Sequence, residues 1–217
     1  MRNLKLVVGE FYHVYNRGVD KKVVFPQEKD FDRFLESMEL FNIKERVGNL
    51  ERQKDKSVKE KEKLVNFVAY CVNSNHFHFI ITPLIENGVG KFMHKLCMGY
   101  SKYFNAKYHM SGTLFQGKFK AVHIDTDEYL LHLSAYVNLN DKAHRQVGAS
   151  RSSWNEYSQN KVGGLCKKDI ILERFKTKDR YVKFAKETLK DIIQRKLLAK
   201  ELESETDLLT LGVNINS

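Results

Sequence analysis

The segment Asn73-Ser74-Asn75-His76-Phe77-His78-Phe79-Ile80-Ile81-Thr82-Pro83 decides how the rest of the chain is read. From His76 onward it has the character of a strand, in which alternate side chains share a face. His76 and His78 then point one way, and Phe77 and Phe79 point the other way into a core. Upstream, Phe67 to Val72 forms a second apolar run. The polar Asn73-Ser74-Asn75 between the runs predicts two adjacent buried strands joined by a turn. Two imidazoles one strand step apart are either an ordinary surface pair or half of a divalent-metal site. A rigid sheet is where such a site is best held.

The remaining donors must come from elsewhere, and the stretch from Thr126 to Asn140 offers them. Thr126 suits an N-cap, and Asp127 and Glu128 suit the first turn of a helix. Leu130, Leu133 and Val137 follow at helical spacing. Tyr136 and Asn140 are four apart and so share a helix face. One reading is a tyrosine at the core edge and an asparagine closing a helix. The other makes Tyr136 a nucleophile and the Asn140 amide oxygen the third metal ligand.

The order of elements around these residues predicts the fold. A strand over Phe11 to Asn16 is followed by a helix over Asp30 to Arg46, with Phe31, Phe34, Leu35, Met38 and Phe41 on its apolar side. After the two central strands come a helix from Val89 to about Tyr108, a strand near Phe119 to Ile124, and the helix carrying Tyr136. This is the α+β, ferredoxin-like split βαβ order: an antiparallel sheet with helices on one face and the other face free to present His76 and His78. The mixed-charge run Glu51 to Lys63 reads as an exposed loop or helix extension. We expect a catalytic domain over residues 1–148 and a C-terminal extension over 149–217, with an amphipathic helix over 179–203. In that helix Val182, Ala185, Leu189, Ile192, Ile193 and Leu197 recur at helical spacing. Such a stripe suits docking on its own domain, a homodimer contact or a grip on DNA, and self-packing is preferred.

Composition points to a polyanionic partner. The 217 residues include 37 Lys+Arg against 27 Asp+Glu, a formal net charge of +10, which favours nucleic acid through counterion release. The charge is also clustered. Lys91 to Lys120 contains six lysines and no acid, interleaved with aromatics. Phe92, Leu96 and Tyr100 follow helical spacing and belong to the core. Others in the stretch are free to stack on unpaired bases. The expected DNA contacts are Lys102, Tyr103, Lys107, Gln116, Lys118 and Lys120. Three cysteines without metal-like spacing suit a reduced, cytosolic chain, nucleoid-associated when on DNA. The apolar length before Glu10 is too short for a signal peptide, and no apolar run approaches a membrane span.

Four places together resemble the single-tyrosine HUH transposases of the insertion-sequence 200/605 type, and REP-associated tyrosine transposases above all. They are Tyr12-His13-Val14-Tyr15-Asn16-Arg17-Gly18, Asn75-His76-Phe77-His78, the pair Tyr103-Phe104-Asn105 and Gly112 to Lys120, and Tyr136-Val137-Asn138-Leu139-Asn140. The similarity spans roughly residues 10 to 160 and keeps the motif order. It implies His76, His78 and Asn140 as ligands of Mg²⁺ or Mn²⁺, and Tyr136 as a nucleophile that becomes linked to a 5′ phosphate. It also implies single-stranded or hairpin DNA as the partner. Strand rejoining conserves the bond energy, and no Gly-x-x-x-x-Gly-Lys-[Ser/Thr] loop for ATP is present. There is one departure: proline commonly follows the asparagine in this family, and here Asp141 does, so the helix is expected to end less sharply. Tyr100, Tyr103 and Tyr108 are rival nucleophiles by residue type. Two other classes remain open at this level: a non-catalytic single-stranded nucleic-acid-binding domain, and a metal-dependent nuclease that uses water.

Overall fold

A computed structural model of the chain describes residues 5–45, 61–143, 149–159 and 164–212. Among these residues, five antiparallel strands form one sheet in the order β4-β1-β3-β2-β5. They are β1 (Phe11–Arg17), β2 (Val65–Asn73), β3 (His76–Pro83), β4 (Lys120–Ile124) and the short β5 (Arg151–Ser152). The first four have the ferredoxin-like order, with helices α1 (Glu28–Leu40) and α2 (Gly88–Tyr108) as the crossovers. Most of the charge run Glu51 to Lys63 lies outside the described residues.

Side-chain alternation divides the sheet cleanly. Tyr12 and Val14 of β1, Tyr70 and Val72 of β2, and Phe77, Phe79 and Ile81 of β3 pack with Phe31, Phe34, Met38, Phe92, Leu96 and Tyr100 of α1 and α2. Aromatic edges dominate this core: Phe34 meets Phe25 at 4.8 Å and Tyr100 at 5.0 Å between ring centroids. Gly99 lets the helices close here, because a Cβ at that position would lie 2.4 Å from the Phe41 ring.

The opposite face is not bare. Val68, Cys71, Ile80 and Ile124 form a second core with α3 (Asp127–Asn138), α5 (Trp154–Ser158), α6 (Asp169–Leu172) and α7 (Lys178–Gly212). Helices therefore cover both faces, which corrects the expectation of a histidine face left open. The apolar residues Ile80, Ile124, Leu130 and Leu133 require such cover. The C-terminal extension supplies much of it: Tyr157 donates to the Val68 carbonyl at 2.7 Å, and Tyr181 accepts from the Asn138 amide at 2.8 Å. In α7 the buried line is Tyr181, Ala185 and Thr188, while Leu197 is exposed. The stripe expected from the sequence is thus rotated: Tyr181 and Thr188 bury because their hydroxyls find partners.

The turn before β3 is clamped from outside. Val24 and Phe25 both donate backbone N–H to the Ser74 carbonyl, and the Gly18 N–H donates to the Asn75 carbonyl at 2.8 Å. Only glycine fits at position 18, since a Cβ would lie 2.3 Å from the Lys22 carbonyl oxygen. This clamp fixes the start of β3, and with it His76.

Candidate active site

Register puts a polar row on the face that carries α3. Tyr15 of β1 pairs with His78 and Arg17 pairs with His76. On the other side Cys71 and Asn73 of β2 pair with His78 and His76, and Lys120 of β4 pairs with Tyr15. Strand alternation therefore brings Arg17, Tyr15, Lys120, Asn73 and both histidines to one surface. The imidazoles stand 5.2 Å apart between centroids, nearly perpendicular.

Helix α3 brings Tyr136 over this row. Thr126 caps it, its hydroxyl accepting from the Tyr129 N–H at 3.2 Å, and Leu130, Leu133 and Val137 seat it on the second core. The Tyr136 ring meets His78 edge-on at 5.9 Å. The helix does not run unbroken to Asn140. Leu139 leaves helical geometry at φ −115°, ψ 21°, and the short α4 (Asn140–Ala143) follows. Asn140 still reaches the same site as Tyr136, but from a new turn rather than as the next rung of one helix.

Hydrogen bonds define the imidazole of His76. Asn75 spends its amide N–H on the Lys21 carbonyl, so its oxygen accepts from His76 Nδ1 at 2.6 Å. The proton is thereby placed on Nδ1, which leaves the lone pair on Nε2. That lone pair accepts from Asn73 Nδ2 at 2.9 Å. The same Asn73 nitrogen donates to Asn140 Oδ1 at 2.7 Å. Asn73 and Asn140 are both fully buried, and the amide nitrogen of Asn140 has no hydrogen-bond partner of normal geometry.

The donor types suit a divalent ion, two imidazoles and an amide oxygen, and both His76 Nε2 and Asn140 Oδ1 face the Asn73 amide nitrogen. Among the described residues no group of three His, Cys, Asp or Glu side chains could hold a metal; the further donor beside the two histidines is the Asn140 amide. A second layer orients the histidines. His13 Nε2 lies 2.9 Å from His78 Nδ1, and burial pushes the His13 pKa down to about 4, leaving it neutral. Burial raises the Tyr136 pKa, while the neighbouring Asn140 side chain works the other way. Its hydroxyl is un-ionised at neutral pH. Cys71, pushed up to about 12 by burial, is an inert thiol.

Beside the histidines lies a cleft of about 460 Å³ lined by Tyr15, Arg17, Lys21, Asn75, Gln116 and Lys120. Gln116 accepts a hydrogen bond from Arg17 Nε. On its other side Tyr136 borders a groove between α3 and α7, with His132, Thr188 and Arg195.

The structure thus gathers His76, His78, Tyr136, Asn140, Gln116 and Lys120, and leaves the other expected contacts elsewhere. Lys118 lines a separate, mainly apolar cavity with Phe115 and Phe119. Lys102 is exposed on α2. Tyr103 and Lys107 turn to the fully buried Asp30, at 3.0 and 2.7 Å, with the Tyr108 hydroxyl at 2.6 Å. Tyr100 is buried and donates to the Val24 carbonyl. Sequence reasoning missed Arg17, Asn73, Asn75 and His13. The alternation His13-Tyr15-Arg17 carried a usable signal for β1; nothing local marked Asn73.

The family model described as IS200-like transposase matches residues 42–140, the span that holds both histidines, Tyr136 and Asn140. Within this segment the chain is similar to the IS200-like transposases. No curated protein matches the sequence. A solved structure of a REP-associated tyrosine transposase bound to a REP hairpin shares the fold, with a TM-score of 0.50 and 12% identity over 77% of this chain and 93% of that one. No helix among the described residues is long and apolar enough to cross a membrane.

Proposed function

We propose that the protein is a DNA transposase of the REP-associated kind, which cleaves and rejoins single-stranded DNA through a phosphotyrosine at Tyr136. The observation that carries this reading is the placement of the Tyr136 phenol, from α3, against His78 on the same sheet face as His76, with Asn140 beside both.

The Tyr136 oxygen attacks the scissile phosphorus in line. Its bond to phosphorus forms as the bond to the 3′ oxygen breaks. The phenolic proton is given up, the departing oxygen gains a proton, and Tyr136 is left joined to the 5′ phosphate. Attack by a 3′ hydroxyl on that linkage reverses the exchange, so no external energy source is consumed. His76, His78 and Asn140 would hold Mg²⁺ or Mn²⁺, which supplies charge neutralisation and polarisation of the phosphate. Asn75 and His13 keep the two imidazoles in place. Arg17, Lys21 and Lys120 offer cations to the flanking phosphates, and Gln116 and Tyr15 offer polar and stacking contacts. The preferred substrate is single-stranded or hairpin DNA, in line with the hairpin held by the solved transposase of the same fold, and the site of action is the cytoplasm.

Tyr136→Phe tests this directly. Only a hydroxyl is lost, so the ring still packs on His78. With a hairpin-bearing single strand and Mn²⁺, the wild-type protein should yield a covalent adduct that survives denaturation. The variant should yield none while binding DNA within about twofold. His76→Ala should also lose the adduct. Cleavage with no adduct in either protein would make water the nucleophile and favour a nuclease. An adduct in Tyr136→Phe would move the nucleophile to another residue.

A further inference from the structure

Asn73 contributes no group to the reaction proposed above, yet it sits at the centre of the site. It is the last residue of β2, fully buried, in register with His76. One nitrogen, Nδ2, serves two acceptors: His76 Nε2 at 2.9 Å and Asn140 Oδ1 at 2.7 Å. The other end of the amide is engaged too, its oxygen lying 3.5 Å from the Cys71 thiol, which donates to it.

The two acceptors differ in capacity. An amide oxygen has two lone pairs and can accept a hydrogen bond while it coordinates an ion. An imidazole nitrogen has one and cannot do both. With the His76 proton held on Nδ1 by Asn75, Nε2 is the coordinating atom, and Asn73 already occupies it. We propose that Asn73 is a positioning residue with two opposed effects on the metal: it competes with the ion for His76 Nε2, and it aims Asn140 Oδ1 at the ion through its second N–H. The side chain therefore sets the affinity of the site. When the ion takes Nε2, Asn73 gives up one hydrogen bond and keeps the other. This inference rests on the metal reading above.

A double-mutant cycle in Mn²⁺ affinity, read by the electron paramagnetic resonance of free Mn²⁺ without DNA, separates the two effects. Asn140→Ala removes the ligand that Asn73 aims, leaving only the competition. In that background Asn73→Ala should tighten Mn²⁺ binding about fivefold, the equivalent of one net hydrogen bond. In the wild-type background the gain should shrink or reverse. A packing role alone would weaken binding in both backgrounds, and that result overturns the proposal. A second measurement needs no variant. In ¹⁵N-correlated spectra of the wild-type chain, the Asn73 side-chain amide signals should move as Mg²⁺ saturates the site, and signals that stay fixed at saturation also overturn it. His78→Ala keeps the outcomes apart. If that variant binds Mn²⁺ as tightly as wild type, the ion is not held here and the metal reading itself falls. If His78→Ala weakens binding while Asn73→Ala in the Asn140→Ala background changes nothing, only the role of Asn73 falls.

Discussion

The two faces of the sheet use similar residue types for opposite ends. On the α1–α2 face, lysine, tyrosine and aspartate make a closed structural cluster. Asp30 has no exposed surface and is held by Lys107, Tyr103 and Tyr108, and its carboxylate accepts the N-cap N–H of Gln27. On the α3 face, histidine, asparagine and tyrosine converge with lone pairs turned inward, and a cationic cleft opens beside them. The difference lies in how the charges end. Around Asp30 the lysine and both tyrosine hydroxyls are directed at the carboxylate. At the site, the buried Asn140 amide nitrogen has no hydrogen-bond partner of normal geometry, and its side chain acts on the Tyr136 hydroxyl, whose pKa, raised by burial, it works to lower.

The sharpest way to break this contrast is to remove the anchor of the structural face. Burial opposes the charge on Asp30, but the hydrogen bonds from Lys107, Tyr108, Tyr103 and the Gln27 N–H outweigh it and hold its pKa below the usual value. Asp30→Ala strands a lysine and two hydroxyls at once. It should cost about 3–5 kcal/mol of stability, read from urea unfolding, while adduct formation by the folded fraction stays unchanged. Strong loss of adduct formation by the folded fraction would mean the faces are functionally linked.

The next effect belongs to the α3 face and appears with pH. His13 has a folded pKa of about 4 against an ordinary value of 6.5. Above pH 6.5 it is neutral in both states and contributes no slope. As pH falls towards 4, the unfolded chain takes up a proton that the folded chain refuses. Stability therefore drops across that window, by about 3 kcal/mol at its lower end. His13→Gln should flatten this fall. An unchanged pH profile of unfolding free energy would show that His13 binds its proton equally well in the folded and unfolded chain.

Much of this arrangement is legible in the amino-acid sequence itself. His76 and His78 on one face follow from strand alternation, and the ferredoxin-like order follows from the succession of apolar periods. The lysine-aromatic stretch divides along a line that periodicity draws only in part: Phe92, Leu96 and Tyr100 show their core spacing, but Tyr103, Lys107 and Tyr108 look like a DNA surface. Their partner, Asp30, is 73 to 78 residues away in sequence, beyond the reach of any local pattern. The break at Leu139 is hidden for a related reason. A helical pattern that continues through Asn140 carries no mark of a change in backbone direction, and Asp141 in place of proline removes the usual stop signal. Asn73 reads as a turn residue because its two acceptors lie on a neighbouring strand and on a helix 67 residues on.

The smallest expected effect decides which face meets DNA. If the cleft of Arg17, Lys21 and Lys120 follows the backbone, Arg17→Ala with Lys120→Ala should remove two phosphate contacts. The slope of log affinity against log salt for a single strand should then fall by about 1.4. Lys102 is the control, an exposed cation on α2 with no place in the cleft. Lys102→Ala should leave the slope within about 0.3, well short of the roughly 0.7 per phosphate contact expected for a single strand. Arg17 also orders Gln116 by hydrogen bond, so Arg17→Lys adds a further distinction. It keeps the charge and so the slope, but loses the planar fork that holds the glutamine, and affinity should drop only about two- to threefold. A slope that responds to Lys102 and ignores the cleft pair would reverse the comparison and move the DNA to the α1–α2 face.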